Sequence, residues 1–185
     1  IMNTPNKLTL FRIVLIPVFL LLLLFPITPV HTWLALGVFI CASVTDWLDG
    51  RIARSTNQVT TFGKFADPLA DKLLTSAALI SFIELYRVPC WLIFIVVARE
   101  FIVTGLRLVA ISEGKVIAAS MAGKVKTFTQ MVAIVLTMIV GALGISGEKI
   151  LGLTVPVWLM GIVAAITLYS GLTYLIDNRK LLKVK

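Results

Sequence analysis

Six apolar stretches constrain the fold of this 185-residue chain more than any other feature. A helix that crosses the hydrocarbon core of a bilayer needs roughly 20 apolar residues. The stretches meet that length and cover 8–25, 33–54, 65–85, 89–110, 125–143 and 154–176. No stretch alternates apolar and polar residues with the period of two that a membrane β-strand requires. The sequence therefore predicts an all-α integral membrane protein with six transmembrane helices.

The overall composition agrees with lipid as the solvent for most of the surface. Hydrophobic residues make up 59% of the chain and charged residues 14%, against about 45–50% and about 25% in soluble domains. A short soluble chain has too small a core to bury that much apolar surface. Because we find no internal repeat or linker, we predict a single domain over residues 1–185. We interpret residues 2–24 as a retained first span and not as a cleaved signal peptide.

The distribution of basic residues predicts the orientation. Lysine and arginine are concentrated near the start of the chain, around the second and fourth connections, and in the C-terminal tail. The positive-inside rule then places both termini and these two connections in the cytoplasm. The net charge of +8 is spread between apolar stretches and forms no continuous basic domain. It therefore indicates anionic lipid and phosphorylated substrates as partners, and not nucleic acid.

Four aspartates are the main candidates for chemistry. Asp46 and Asp49 lie at the end of the second stretch, and Asp67 and Asp71 lie at the start of the third. Spacings of three and four residues put each pair on one face of a helix. Clustered carboxylates repel one another unless cations neutralise them, and ligands that are all oxygen favour Mg²⁺, Mn²⁺ or Ca²⁺ over zinc. The alternative is that these aspartates are helix-end charges paired with nearby basic residues.

The spacing around the aspartates also carries a family resemblance. The residues from Asp46 to Arg54, followed by Gly63, Asp67 and Asp71, meet every fixed position of the pattern D-x2-D-G-x2-A-R-x8-G-x3-D-x3-D. This pattern resembles the signature of the CDP-alcohol phosphatidyltransferases. The resemblance implies a six-helix membrane fold, a homodimer, two divalent cations (Mg²⁺ or Mn²⁺), a CDP-linked lipid donor and the release of CMP.

The resemblance further implies roles for individual residues. Asp46, Asp49 and Asp67 are the principal metal ligands, and Asp71 belongs to the metal set while acting as the base. The residues expected at the donor are Asn6, Thr9, Gly50, Arg54 and Gly63. For Asn6 and Thr9, a simple amphipathic start of the first helix is the alternative.

Basic residues outside the signature indicate the acceptor. Charged side chains inside a membrane span are costly unless they are paired or line a wet cavity, and a phosphorylated acceptor needs a cationic site. The candidate acceptor-phosphate residues are Arg99, Thr104, Arg107, Lys124 and Lys126. Their neighbouring residues resemble the branch of the family that uses CDP-diacylglycerol and sn-glycerol 3-phosphate. Arg99 could instead form an internal ion pair, and the others could be positive-inside anchors.

Other functions remain open from the residues alone. Within the family, the alternatives are synthesis of phosphatidylinositol phosphate or of cardiolipin. Outside it, a divalent-cation transporter would also use a cage of carboxylates, although no acidic path continues through the other stretches. The expected location is the cytoplasmic membrane of a bacterium, with the active site facing the cytoplasm.

Overall fold

The computed structural model of this chain describes the backbone of residues 4–56, 61–112 and 120–179 and the side chains of residues 10–45, 72–110 and 120–179. These residues form six α-helices and one short β-hairpin. The helices are α1 (Thr4–Leu24), α2 (His31–Thr56), α3 (Thr61–Tyr86), α4 (Cys90–Ser112), α5 (Met121–Ala142) and α6 (Val155–Asp177). The hairpin strands β1 (Lys149–Ile150) and β2 (Leu153–Thr154) lie between α5 and α6.

The helices confirm that the fold is mostly helical, and each corresponds to one predicted apolar stretch. Within the described residues, α5 and α6 are long and apolar enough to cross a membrane by length and composition. Shorter apolar segments cover Leu10–Leu24 of α1 and His31–Thr45 of α2. Arg99, Glu100 and Arg107 interrupt the apolar sequence of α4. The described part of the fold therefore combines two long apolar helices with helices that also carry polar residues.

Helix α3 lies at the centre of the packing, since it contacts each of the other five helices. The core around it contains the fully buried side chains of Leu79 and Phe82 from α3 and Phe19 from α1. Phe19 packs against Phe39 of α2 with ring centroids 5.7 Å apart. Helix α3 also carries Asp67 and Asp71, two of the four predicted metal ligands.

The outer surface of the bundle is strongly apolar. Large hydrophobic side chains on the outer faces of the helices are more than half exposed, including Phe94 and Phe101 on α4 and Phe128 on α5. Monomeric soluble proteins rarely expose continuous apolar surface on this scale. The exposed surface therefore fits lipid as its surroundings.

The hairpin is a feature that the sequence pattern does not predict. Leu151 and Gly152 form its turn with φ of 52° and 83°, and two successive positive φ angles are typical of a tight hairpin turn. The indole Nε1 of Trp158 donates a hydrogen bond of 2.8 Å to the carbonyl oxygen of Ile150. The hairpin is thereby tied to the first turn of α6.

Candidate active site

The helical backbone carries all four predicted metal ligands. Asp46 and Asp49 lie in the C-terminal half of α2, and Asp67 and Asp71 lie in the N-terminal half of α3. Since both segments are helical, each pair shares a helix face. The four side chains lie outside the described ones, and so do the surroundings of the predicted donor residues Asn6, Thr9, Gly50, Arg54 and Gly63.

One carboxylate on α4 joins two lysines from neighbouring helices. Glu100 Oε2 accepts a hydrogen bond of 2.9 Å from Nζ of Lys72 on α3, which follows Asp71 directly in the chain. Glu100 Oε1 accepts from Nζ of Lys126 on α5, and Lys126 also donates to the amide oxygen of Gln130 one turn later. The Lys126 side chain is completely buried. A buried ammonium is tolerated only when it is paired and hydrogen-bonded, so Glu100 and Gln130 explain how α5 holds this charge.

Arg99, the residue before Glu100, reaches α6 and the start of α5. Its Nη2 donates a hydrogen bond of 2.8 Å to Oγ of the fully buried Ser170. Nη2 also lies 3.9 Å from the point where a Cβ on Gly123 would be, and Arg99 Cγ lies 3.1 Å from the corresponding point on Gly171. Glycines at these two positions therefore leave room for the arginine between helices. The described hydrogen bonds leave the buried Nε of Arg99 without a partner.

Arg107 lies two turns after Arg99 on α4 and packs over an aromatic ring of α6. Its Cζ is 5.7 Å from the centre of the buried Tyr174 ring, a distance at which a guanidinium is attracted to the face of the ring. The buried Nε of Arg107 and the hydroxyl of Tyr174 have no hydrogen-bond partner among the described residues. Within the described part of the chain, the pair therefore leaves two buried polar atoms without a hydrogen bond.

The start of α5 contributes the remaining basic residue. Ser120 caps this helix, because its Oγ accepts a hydrogen bond of 3.1 Å from the backbone N–H of Gly123. Lys124, in the first turn, is exposed, whereas Lys126 points into the protein. A helix N-terminus favours anions, and both lysines add to that preference. Thr104 is half-buried on α4 between the two arginines.

The structure thus places the predicted acceptor residues on α4 and at the start of α5. The two lysines of α5 differ in burial, since Lys124 is exposed and Lys126 is buried. Arg99 approaches the start of α5, which carries Lys124 and Lys126. The sequence did not select as site residues the groups that contact the predicted arginines and Lys126, or the lysine that pairs with Glu100; these residues are Glu100, Gln130, Ser170, Tyr174 and Lys72. For α6 a signal exists: Thr167, Ser170 and Tyr174 form a polar stripe at helical spacing in an otherwise apolar helix.

Two apolar grooves lie on the surface of the described bundle. One, of about 210 Å³, lies between α2 and α5 and ends close to the position of Asp46 in the chain; its lining residues are Phe39, Ile40, Ser43, Val44, Met131 and Val135. The other, of about 240 Å³, lies between α4 and α6, where Arg99 and Thr167 are polar residues in a mainly apolar lining. Grooves of this kind suit hydrocarbon chains better than polar ligands.

A family model for the CDP-alcohol phosphatidyltransferases matches residues 2–173, which is nearly the whole chain. The chain belongs to this family. Membership confirms the resemblance found in the aspartate signature. Together with the apolar helices α5 and α6, it also indicates a membrane protein.

Curated relatives extend the comparison. The chain is 49% identical over 143 residues to a Bacillus subtilis (strain 168) protein named CDP-diacylglycerol–glycerol-3-phosphate 3-phosphatidyltransferase, covering 71% of this chain and 74% of the relative. It is 42% identical over 138 residues to an Escherichia coli (strain K12) protein of the same name, with 71% and 74% covered. A Mycobacterium tuberculosis (strain H37Rv) protein named probable phosphatidylglycerophosphate synthase is 45% identical over 139 residues, covering 72% of this chain and 65% of the relative.

Proposed function

We propose that this CDP-alcohol phosphatidyltransferase transfers the phosphatidyl group of CDP-diacylglycerol to sn-glycerol 3-phosphate, giving phosphatidylglycerophosphate and CMP. The observation that carries the proposal is the activity for which the Bacillus subtilis and Escherichia coli relatives are named, at 49% and 42% identity. The α2–α5 groove adds support on the donor side, because an apolar groove near Asp46 suits an acyl chain of the lipid.

The acceptor side of the proposal rests on the basic residues of α4 and α5. Glycerol 3-phosphate carries a phosphate that needs cationic partners, and arginine binds phosphate with several donors at once. We assign the acceptor phosphate to Arg99, Thr104, Arg107, Lys124 and Lys126. Among the described residues, the buried Nε atoms of Arg99 and Arg107 have no hydrogen-bond partner. This supports the assignment, since buried donors are normally hydrogen-bonded.

On the donor side, Asn6, Thr9, Gly50, Arg54 and Gly63 would contact CDP-diacylglycerol. The four carboxylates of Asp46, Asp49, Asp67 and Asp71 form an oxygen-only donor set that fits two Mg²⁺ or Mn²⁺ ions. Such ions, when bound, neutralise the pyrophosphate and stabilise CMP as a leaving group.

The residues of the chain account for the remaining steps of the reaction. Asp71 takes the proton from the acceptor hydroxyl while the oxygen of that hydroxyl attacks the phosphorus that carries diacylglycerol. The new P–O bond forms while the bond from that phosphorus to the CMP oxygen breaks, so CMP leaves with the electron pair. The cationic residues hold the acceptor in line for the attack, and such placement lowers the entropic part of the barrier.

We further propose that all six helices cross the cytoplasmic membrane of a bacterium, with the active site facing the cytoplasm and two copies forming a homodimer. The apolar outer surface and the alternating basic connections support the membrane arrangement. The homodimer rests on the family resemblance.

The proposed reaction is tested by CMP release from purified protein in lipid nanodiscs supplied with CDP-diacylglycerol. We expect turnover with glycerol 3-phosphate and none with inositol phosphate, serine or phosphatidylglycerol. Turnover with one of the other acceptors would reassign the substrate. No CMP release with any acceptor, together with passage of divalent cations into liposomes, would favour the transporter.

The aspartate assignment is tested by Asp67→Asn and Asp71→Asn. We expect each variant to insert and fold normally but to lose activity by about 100-fold or more. Asp71→Asn removes the base, which typically contributes about 10²–10⁴-fold to the rate, and Asp67→Asn removes a carboxylate proposed to hold the metal ions. Chelation of divalent cations should also stop CMP release by the wild-type protein, and added Mg²⁺ or Mn²⁺ should restore it. Near-wild-type turnover by either variant would contradict the catalytic role of the cage.

A further inference from the structure

Glu100 is an unexpected residue in a site proposed for anions. Glu100 follows Arg99 directly in α4, and its carboxylate would repel a phosphate near the basic residues of α4 and α5. Glu100 is nevertheless mostly buried, with 17% of its side chain exposed. The groups that Glu100 contacts therefore indicate its function.

Those groups are two ammonium ions on different helices. One oxygen accepts from Lys72 of α3 and the other from Lys126 of α5. The two lysines differ in burial, because the Lys72 side chain is 22% exposed and that of Lys126 is not exposed at all. With both oxygens engaged, the carboxylate plane has a defined orientation. Lys72 thus restrains Glu100, and Glu100 in turn restrains Lys126.

Because Lys126 is buried, the position of its charge strongly affects how it attracts a nearby anion. In a medium of low dielectric constant, an ammonium attracts an anion over several ångströms, and the attraction depends strongly on distance. Lys126 lies at the start of α5 close to Gly123, which Arg99 also approaches. A shift of its charge would therefore change the electrostatic potential at the place assigned to the acceptor phosphate.

We propose that Glu100 is a positioning residue that holds the buried Lys126 ammonium at the acceptor-phosphate site, with Lys72 as its second anchor. This inference rests on the proposed function, since it gives Lys126 its ligand. It assigns Glu100 no contact with substrate and no proton transfer.

The test is a double-mutant cycle of Glu100→Gln and Lys126→Gln in nanodiscs, with CMP release measured against both substrates. In the wild-type background, Glu100→Gln should raise KM for glycerol 3-phosphate about tenfold, as expected when one charge-assisted contact is misplaced. KM for CDP-diacylglycerol should change less than about twofold. In the Lys126→Gln background, Glu100→Gln should add less than about a twofold increase, because residues that act through one another are not additive.

The matched control is Glu84→Gln, which makes the same change at an exposed position near the end of α3. It should leave both KM values and kcat unchanged. If Glu100→Gln does not fold, Glu100→Asp takes its place in the cycle, because it keeps the charge and withdraws it by one methylene.

Two results would overturn the positioning role. One is an unchanged KM for glycerol 3-phosphate in the folded Glu100 variant. The other is an equal rise with and without Lys126, which would show that Glu100 acts independently of that lysine. A wild-type protein without turnover toward glycerol 3-phosphate would instead refute the proposed function, so the two failures are distinguishable.

Discussion

Gly141 on α5 packs directly against Tyr86 at the end of α3, and this contact depends on the missing side chain. A Cβ at Gly141 would overlap the Tyr86 hydroxyl and lie 2.6 Å from Cζ of the ring. We expect Gly141→Ala to lower the free energy of unfolding by about 1–3 kcal/mol, the usual cost of overpacking. The measurement is the thermal unfolding midpoint of the purified protein in detergent.

The control for this substitution is Gly161→Ala on α6, where the added Cβ would meet no other part of the described chain within 4 Å, the adjoining backbone of α6 aside. This variant should unfold at the wild-type temperature or slightly above it, because alanine has the higher helix propensity. Equal unfolding midpoints for Gly141→Ala and Gly161→Ala would show that the Tyr86 ring moves aside without lowering the stability of the protein.

At the residue scale, the sequence predicts which charges matter better than it predicts their partners. Arg99 and Arg107 are recognisable because arginine in an apolar stretch is costly. Ser170 lies 71 residues from Arg99 in the chain, and their hydrogen bond depends on how α4 packs against α6. No local pattern encodes that packing. Lys126 is recognisable as basic for the same local reason, whereas its complete burial follows only from the arrangement of α3, α4 and α5.

At the scale of elements, the hairpin between α5 and α6 contains a strained residue. Leu151 has φ of 52° and is 88% exposed, although this left-handed conformation costs a residue with a Cβ about 1–2 kcal/mol. Asparagine tolerates the conformation and is favoured before glycine in such turns. We expect Leu151→Asn to raise the thermal unfolding midpoint in detergent.

A matched control separates the backbone effect from the loss of an exposed leucine. Leu143 is also exposed, at 57%, but its φ of −79° is unstrained. Leu143→Asn should therefore give no increase in the midpoint. If both variants unfold at the same higher temperature, surface polarity and not turn strain would be the cause.

The helices themselves are largely predictable because their signals are local. Apolar stretches and the breaks between them predict each helix, as in α6, predicted at 154–176 and observed at Val155–Asp177. Helices α2 and α3 extend beyond the predicted 33–54 and 65–85 into polar residues at both ends, since hydropathy alone marks no helix end there. The hairpin escapes prediction because each strand has only two residues, and because leucine at a turn is not a turn signal.

At the scale of the whole molecule, the proposed orientation makes a prediction about which side of the membrane each connection faces. Basic residues favour the cytoplasm at both termini and at the second and fourth connections. The α1–α2 connection and the hairpin should then both lie on the side away from the cytoplasm, because the four crossings of α2 to α5 between them return the chain to the same side. The end of α6 should lie in the cytoplasm with the C-terminal tail.

Single cysteines test this arrangement after Cys41 and Cys90 have been replaced by alanine. Val30→Cys, Glu148→Cys and Asp177→Cys place the thiol at exposed positions, and Glu148 and Asp177 lie near opposite ends of α6. In intact cells, a membrane-impermeant maleimide should label the first two variants but not the third. Asp177→Cys should react only after permeabilisation. Labelling of Val30→Cys and Glu148→Cys from opposite sides would require an odd number of crossings between them and would rule out six spans. Labelling of Glu148→Cys and Asp177→Cys from the same side would mean that α6 does not cross the membrane.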